Sequence, residues 1–283
     1  MSLLTHIALP GRTLLRLEGP ESKEFLNGLI SNDARRLAPG QPLFAALLSP
    51  QGKFLYELLL ADWQGAVWLD TETDTAPELE KKLKMYRLRA KVEIAMQTGW
   101  QVYALLNAGP ETVIPAEGFA FTDPRLPALG QRLWLPDGVA PPGAAGDLAE
   151  YEALRLLLGV PDGSRDIERD KGLLLENHFE ALNGVDFNKG CYVGQELTAR
   201  TKYRGLVKKQ LFLVHAEAPL PARGSIVTLD GQEAGELRSS LGPQGLALLR
   251  LEAVARAAAG GPPLLCEGIA LTARLPDYAA PKS

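Results

Sequence analysis

The sequence predicts an α+β protein of two or three domains, on three observations. Its 283 residues exceed the length over which a single hydrophobic core keeps growing. Residues 44 to 107 alternate apolar runs with one amphipathic helix in the order β-β-β-α-β-β, as in a helix packed on an antiparallel sheet. From about residue 206, short apolar runs alternate with Gly and Pro turns, which is typical of a small β-barrel.

The first elements follow from local patterns. "HIALP" and "TLLRLEG" predict two short strands around a turn at Gly11, and "GPESKEFLNGLI" predicts a helix with an apolar stripe. In "FAALLSPQGKFLYELLLAD" two apolar runs flank the turn formers at residues 49–52, which predicts a β-hairpin. "AVWLDT" predicts a further strand.

A helix is expected to begin near Thr75 or Pro77, because Leu79, Leu83 and Tyr86 recur with helical spacing. "KVEIAM" and "QVYALL" follow as strands. A stretch rich in Gly, Pro and Ala then predicts a linker, interrupted by the strand "QRLWLP". "LAEYEALRLLLGVP" predicts a helix that ends at its Gly and Pro.

The amino-acid composition argues against several classes of protein. The net charge of −4 disfavours a dedicated nucleic-acid binder, and no apolar window is long enough for a membrane span. The N-terminal sequence lacks the basic start of a secretory signal. The chain has two cysteines, Cys191 and Cys266, without CxxC spacing. Two such cysteines exclude a disulfide framework and fall short of a complete zinc or iron–sulfur site, so we expect a reducing cytoplasm.

Cys191 lies in "KGCYVGQE", residues 189–196. Lys189 is two residues upstream, and "QELTAR" after Gly194 is expected to open a helix whose free N–H groups point back toward the turn. Both features favour a thiolate. A small, buried hydrophobic cysteine fits the same residues. Physical reasoning on the sequence leaves both interpretations open.

"KGCYVGQE" resembles the signature of the YgfZ family, folate-binding-fold proteins whose mitochondrial relatives are iron–sulfur assembly factors. "FLNGLISNDARRL", "SPQGKFLYELLL", "KKLKMYRLRAKVEI", "FTDPRLPALGQR" and "LLLENHFEALNGVDF" also occur in the family's order, so the resemblance covers nearly the whole chain. It implies that Cys191 is a functional thiol. The signature residues around it are Lys189, Gly190, Tyr192, Gly194, Gln195 and Glu196.

The resemblance extends to the aminomethyltransferase (T-protein) of the glycine cleavage system, which shares the fold. It implies three domains around a central cleft. A split N-terminal folate-binding-like domain comprises residues 1–43 and 118–204, a ferredoxin-like α+β domain comprises 44–117, and a C-terminal β-barrel comprises 205–283.

The chain departs from the transferase at its chemical positions. Tyr56 and Glu57 stand where the transferase has two aspartates, and a phenol of ordinary pKa, about 10, is a poor substitute for a carboxylate. Leu157 replaces a glutamate that grips the pterin. We therefore expect that aminomethyl transfer is lost, although whether the chain is an enzyme stays open.

The resemblance implies tetrahydrofolate or a derivative as ligand and no permanently bound metal. Asn32 and Asp33 lie in the matching segment before the hairpin, and Glu176 matches a glutamate of the transferase. Three basic residues follow the cysteine signature in "ARTKYRG", and arginines there suit a carboxylate or phosphate. The candidate folate-binding residues are Asn32, Asp33, Tyr56, Glu57, Glu176, Asn177, Arg200 and Arg204.

Three functions are weighed. The first is an iron–sulfur assembly or repair protein, monomeric and cytoplasmic, whose Cys191 transiently ligates or reduces a cluster intermediate; its partners would be iron–sulfur enzymes or assembly proteins. The second is a tetrahydrofolate-dependent one-carbon transferase in which Glu57 replaces the missing aspartate. The third is a scaffold that binds a protein or RNA through residues 81–91, where six of eleven residues are basic.

Overall fold

The computed structural model describes residues 3–280 and separates the chain into two compact units. Unit 1 comprises the residues up to Gln51, Leu55–Tyr151 and Leu182–Gln195. Unit 2 comprises Gly52–Phe54, Glu152–Ala181 and the residues from Glu196 onwards. Within the described part of the chain, no helix is both long and apolar enough to cross a bilayer.

Helices and strands are mixed along the chain. The first part contains β1 (Thr5–Ala8), β2 (Arg12–Glu18), α1 (Ser22–Asn27), β3 (Leu43–Leu48), β4 (Phe54–Trp63), β5 (Ala66–Glu72), α2 (Ala76–Arg87), β6 (Glu93–Gln97), β7 (Trp100–Leu106), β8 (Phe119–Thr122), β9 (Gln131–Pro136) and β10 (Ala144–Ala145). The second part contains α3 (Leu148–Leu158), α4 (Gly163–Asp166), α5 (Gln195–Tyr203), β11 (Lys209–His215), β12 (Ile226–Leu229), β13 (Gln232–Leu241), β14 (Gln244–Arg250), α6 (Leu251–Ala258), β15 (Leu264–Cys266) and β16 (Ile269–Arg274).

The first sheet of unit 1 has the strand order β3-β4-β5-β2-β6. Leu15 on β2 lies opposite Leu69 on β5 and Met96 on β6. Helix α2 packs on this sheet through Leu79 and Leu83, which are fully buried in the same apolar cluster as Leu15. The predicted strands of the hairpin and the predicted start of α2 are confirmed.

The second sheet of unit 1 has the order β10-β1-β7-β9-β8. Strand β7, which the sequence groups with residues 44 to 107, pairs instead with β1 and β9. Strand β2 takes the place between β5 and β6 in the first sheet. The stretch read as a linker also contributes β8 to the second sheet. Pairing partners depend on contacts distant in sequence, so local patterns predicted the strands but not their neighbours.

An aromatic cluster joins the two sheets of unit 1. It contains all four tryptophans of the chain. The ring centroid of Trp68 lies 5.1 Å from those of Trp63 and Trp100. Tilted and edge-on pairs at this distance add about 0.5–1.5 kcal/mol each beyond the burial of their area. The cluster members are Trp63, Trp68, Trp100, Trp134, Phe119 and Phe121.

Unit 2 contains a closed barrel of order β11-β14-β13-β12-β15-β16, as predicted. Gly235 allows β13 and β14 to approach closely, because a Cβ there would lie 2.1 Å from the carbonyl oxygen of Leu248. Cys266 is fully buried inside the barrel, which confirms the expectation that it acts as a small hydrophobe. Helix α6 was not predicted, since its alanine-rich segment directly follows a strand.

Candidate functional site at Cys191

The loop that carries Cys191 is attached to the segment following α1. At its start, the backbone N–H of Asp186 donates to the carbonyl oxygen of Ser31 at 3.0 Å. At its end, the N–H of Val193 donates to the carbonyl oxygen of Gly28 at 3.2 Å. The loop is therefore fixed on both sides of the cysteine.

Lys189 fixes the middle of the loop. Its Nζ donates to the carbonyl oxygens of Asn27, Ile30 and Asn32 at 2.7, 2.6 and 2.7 Å. These three bonds use all the N–H groups of an ammonium. The signature lysine, interpreted from sequence as a cation beside the thiol, is in the structure a buried clamp between two chain segments.

Burial lowers the pKa of Lys189 from 10.5 to about 8, against the opposing charges of Asp33 and Asp186. The Nζ also lies 4.8 Å from the ring centroid of Tyr192, a distance suited to a cation–π contact. At neutral pH the lysine is therefore still charged. The signature tyrosine helps to hold it.

The thiol of Cys191 is exposed, whereas Cys266 is buried. Next to Cys191, a Cβ added at Gly190 would meet no atom within 4 Å, so the neighbouring backbone is not packed against other groups. Burial raises the pKa of the Cys266 thiol, which makes it less reactive. Of the two cysteines, Cys191 is the one a partner molecule can reach.

The predicted helix after the cysteine is confirmed as α5, which begins at Gln195. Gly194 has a φ of +80°, the left-handed region that favours glycine. The side-chain oxygen of Gln195 accepts a hydrogen bond from the N–H of Tyr192 at 3.2 Å. Gly194 and Gln195 thus shape the turn from loop to helix. Glu196 is exposed on the first turn of α5.

Asn32 and Asp33 lie beside the lysine clamp. The side-chain amide of Asn32 is buried and donates to the carbonyl oxygens of Phe44 and Asn183 at 2.8 and 2.7 Å. A hydrogen bond from the Arg35 side chain is the main cause that lowers the pKa of Asp33. Both predicted ligand residues have these structural contacts, and the structure brings both next to the Cys191 loop.

Tyr56 and Glu57 lie inside unit 1. Tyr56 is 1% exposed and belongs to the apolar cluster beneath α2. Glu57 is fully buried, and its Oε1 accepts from the guanidinium of Arg12 at 2.9 Å. Both side chains are buried, whereas the Cys191 thiol is exposed.

Glu57 belongs to a buried ionic cluster that the sequence interpretation missed. The cluster joins the two sheets of unit 1, and its three positive and three negative charges cancel. Asp123 Oδ2 accepts from Arg125 Nη2 at 2.7 Å, and Asp70 Oδ1 accepts from Arg12 Nε at 2.5 Å. The sequence did contain a signal for this cluster, because charged residues occur inside otherwise apolar strands. The members are Arg12, Glu57, Asp70, Asp123, Arg125 and Arg132.

Opposing effects act on the pKa of Asp123. Its burial favours the neutral acid, but the charges of Arg125 and Arg132 and a hydrogen bond from Arg125 together outweigh burial and lower its pKa. Asp123 in turn helps to raise the pKa of Arg125 against the cost of burial. The cluster is therefore held in its charged form.

Glu176 lines a polar cavity of about 280 Å³ in unit 2. Lys53, Lys209 and Arg238 line the same cavity, and Arg238 pairs with Glu236 at 2.9 Å. Burial raises the pKa of Glu176, against the opposing charges of Lys209, Lys53 and Arg238. Glu168 and Glu236 also line the cavity, which therefore holds three carboxylates among its cations. None of these cations was a candidate from the sequence.

The other candidates in unit 2 are Asn177, Arg200 and Arg204. Asn177 is 1% exposed, and its side-chain amide donates to the carbonyl oxygen of Leu173 at 2.9 Å. Arg200 on α5 and Arg204 just after it are exposed. Leu157, at the position of the missing transferase glutamate, is 54% exposed.

The described fold matches a known class of protein. The chain superposes on the glycine cleavage system aminomethyltransferase T from Bartonella henselae with a TM-score of 0.77 and 18% sequence identity, covering 98% of this chain and 87% of that one. This likeness confirms the predicted aminomethyltransferase fold. Residues 208–281 match the family described as CAF17, C-terminal beta-barrel domain.

Sequence relatives define the family within that fold class. The chain is 36% identical to "Iron-sulfur cluster assembly factor IBA57, mitochondrial" of Homo sapiens, covering 95% of this chain and 84% of the relative. It is 37% identical to the protein of the same name in Mus musculus, covering 88% and 78%. The chain belongs to the IBA57 family of iron–sulfur cluster assembly factors.

These relatives also correct one expectation. Composition and cysteine usage predicted a cytoplasmic protein, but the human, mouse and Neurospora crassa relatives are all named mitochondrial. The expected cytoplasmic location is therefore contradicted. Cysteine usage indicates only whether a compartment is reducing, so it could not distinguish one reducing compartment from another.

Proposed function

We propose that the chain acts in iron–sulfur cluster assembly and that its Cys191 thiol binds the cluster or a cluster intermediate. Membership of the assembly-factor family supports the role. The observation that carries the mechanism is the contrast between the two cysteines, with Cys191 exposed on a fixed loop and Cys266 buried. Thiolates are the usual ligands of iron–sulfur clusters.

A single exposed thiol suits transfer better than storage, because clusters are normally held by several ligands. Cys191 is expected to ligate a cluster intermediate while a partner protein supplies the remaining ligands. In thiol–disulfide exchange, the Cys191 thiolate would attack a disulfide of a partner, forming a mixed disulfide and releasing the partner's second sulfur as a thiolate. In both chemistries Lys189 acts indirectly, by positioning the loop that presents Cys191.

We also propose that a folate, tetrahydrofolate or a derivative, binds in the cavity around Glu176. The carboxylate of Glu176 complements the N–H groups of a pterin ring, and Lys53 and Lys209 complement the carboxylates of the glutamate tail. In this proposal Glu176 would hold the pterin end and the two lysines would hold the glutamate tail. In this proposal the chain's own residues bind and orient the folate.

The transferase alternative has less support. Glu57, its proposed replacement for the missing aspartate, is fully buried and paired with Arg12 at 2.9 Å. Leu157 offers no carboxylate at the second position. Release of Glu57 from its ion pair would leave an arginine charge buried without its partner, which is costly.

The test of the assembly role uses cells that lack their own assembly factor of this family. The chain is expressed in them, and the activity of an iron–sulfur enzyme is compared with that of an enzyme without a cluster. We expect recovery of the cluster enzyme alone. If expression of the chain changes the activity of neither enzyme, the assembly role is refuted.

A further inference from the structure

The end of helix α2 presents two large apolar side chains to solvent. Leu88, directly after the helix, is 87% exposed, and Met85 is 65% exposed. Lys81 and Met85 lie at i and i+4 and so share one face of the helix, and Leu88 follows as its C-cap residue. The opposite face carries Leu79 and Leu83, which are fully buried. The exposed apolar residues are therefore not part of the core-facing stripe.

The backbone at Leu88 is strained. Its φ is +45°, in the region that residues other than glycine rarely adopt, at a cost of about 1–3 kcal/mol. A side chain that is mostly exposed gains little burial to offset that cost. Burial of the Leu88 side chain therefore does not offset the strain of its backbone.

Neighbouring contacts hold this conformation. The N–H of Ala90 donates to the carbonyl oxygen of Arg87 at 2.8 Å, and the Lys91 N–H donates to the carboxylate of Glu21. Gly19 packs directly beneath, since a Cβ there would lie 2.2 Å from the carbonyl oxygen of Lys91. Leu88 therefore projects from a fixed turn.

The surroundings of Leu88 are basic. Residues 81–91 contain six basic and no acidic residues, in a chain with a net charge of −4. Arg87 and Arg89 flank Leu88 and are exposed, while Lys84 on the preceding turn pairs with Glu80 at 2.9 Å. This local charge is opposite in sign to that of the chain as a whole.

We infer that this surface, the Leu88 knob, docks a partner protein through an apolar socket rimmed by Asp and Glu side chains. The knob consists of Lys81, Lys84, Met85, Arg87, Leu88 and Arg89. Central apolar anchors surrounded by polar contacts carry most of the energy of protein interfaces, and complementary charge sets orientation. The inference does not depend on the Cys191 thiol, so either proposal can fail alone.

Two other occupants fit the surface less well. An anionic bilayer attracts basic residues through general charge and does not need a strained backbone that fixes one leucine. Single-stranded RNA is usually held by exposed aromatic rings, but Tyr86, the aromatic residue of this segment, packs against the core cluster of unit 1. An apolar socket with an acidic rim on a protein would contact both the fixed leucine and the basic side chains around it.

The test places a photo-crosslinking amino acid at position 88 of the full chain in cells. The matched control is position 113, because Val113 is also in unit 1 and is 81% exposed. We expect one protein to be cross-linked from position 88 and not from 113. The same adduct should be lost in the Arg87→Glu/Arg89→Glu variant.

The cross-linked protein is then purified and titrated against the wild type and Leu88→Ala by calorimetry. We expect binding at least tenfold weaker for the variant, with an unchanged melting temperature because the side chain is exposed. Reversal of an acidic residue in the partner should restore binding to the arginine-reversed chain. Equal adducts at both positions, adducts that survive charge reversal, or adducts to lipid or RNA would each overturn the inference.

Discussion

Lys189 donates a hydrogen bond to the carbonyl oxygen of Ile30 at 2.6 Å, joining the loop of Cys191 to the segment that follows α1. Two further bonds from the same ammonium reach Asn27 and Asn32. The signature sequence around Cys191 thus contains its own support, with the lysine buried and the thiol exposed. This division of roles makes stability and thiol chemistry separable by mutation.

Lys189→Met should destabilise the fold, because three buried carbonyl groups lose their donor. We expect a loss of about 2–4 kcal/mol in the free energy of unfolding, measured by urea denaturation. Lys171→Met is the control: Lys171 is 73% exposed, and its replacement should change stability by less than about 0.5 kcal/mol. Equal effects of the two substitutions would contradict the clamp.

The Lys189 clamp also predicts a pH dependence. Its pKa is about 8 in the folded chain against 10.5 for an ordinary lysine, so between these values the unfolded chain binds more protons. The free energy of unfolding contributed by Lys189 should therefore rise with pH from about 8 to 10.5. The difference between wild type and Lys189→Met, measured over this range, isolates that contribution. If this difference in the free energy of unfolding decreases as pH rises, the predicted direction is wrong.

Asp123→Asn should destabilise unit 1 at neutral pH, since Arg125 and Arg132 lose a buried negative partner. We expect a cost of about 3–5 kcal/mol at pH 7. The depressed pKa of Asp123 means that its contribution is present above its ordinary value of 3.8 and is lost as pH falls through the folded value.

Urea unfolding at neutral and acidic pH checks this prediction. The gap between wild type and Asp123→Asn should narrow in acid. The exposed Asp74 provides the control, and Asp74→Asn should behave like wild type. A gap that stays constant as pH falls would count against the ionic cluster as its cause.

Glu176→Gln tests the folate cavity. We expect tetrahydrofolate binding, measured by calorimetry, to weaken by about tenfold to a hundredfold, because a charged hydrogen-bonding partner contributes roughly 1.5–3 kcal/mol. Stability at pH 7 should not fall, since burial raises the pKa of Glu176 and its ionised form already destabilises the fold. Glu233→Gln, on an exposed barrel position, should bind like wild type. Equal affinity of both variants would refute a folate contact at Glu176.

Local patterns predicted most of the strands and helices, the closed barrel and the burial of Cys266. They did not predict the strand partners of β2 and β7, because pairing is decided by contacts distant in sequence. The role of Lys189 was also missed, since its acceptors are backbone carbonyls that carry no signal in side-chain identity. Charged residues inside apolar strands could have revealed the ionic cluster, but not their partners. Arg132 pairs with Asp70 in the other sheet, and Arg12 pairs with Glu57 on a strand of the same sheet that is not its neighbour.

The most direct test of the thiol mechanism compares Cys191→Ala with Cys266→Ala in cells that have no other copy of the protein. Both variants lose one sulfur, but only Cys191 is exposed, and its replacement should leave the fold intact. With protein levels matched by immunoblot, we predict that Cys191→Ala abolishes the activity of an iron–sulfur enzyme and that Cys266→Ala largely preserves it. Full activity with Cys191→Ala would contradict the thiol as the functional group.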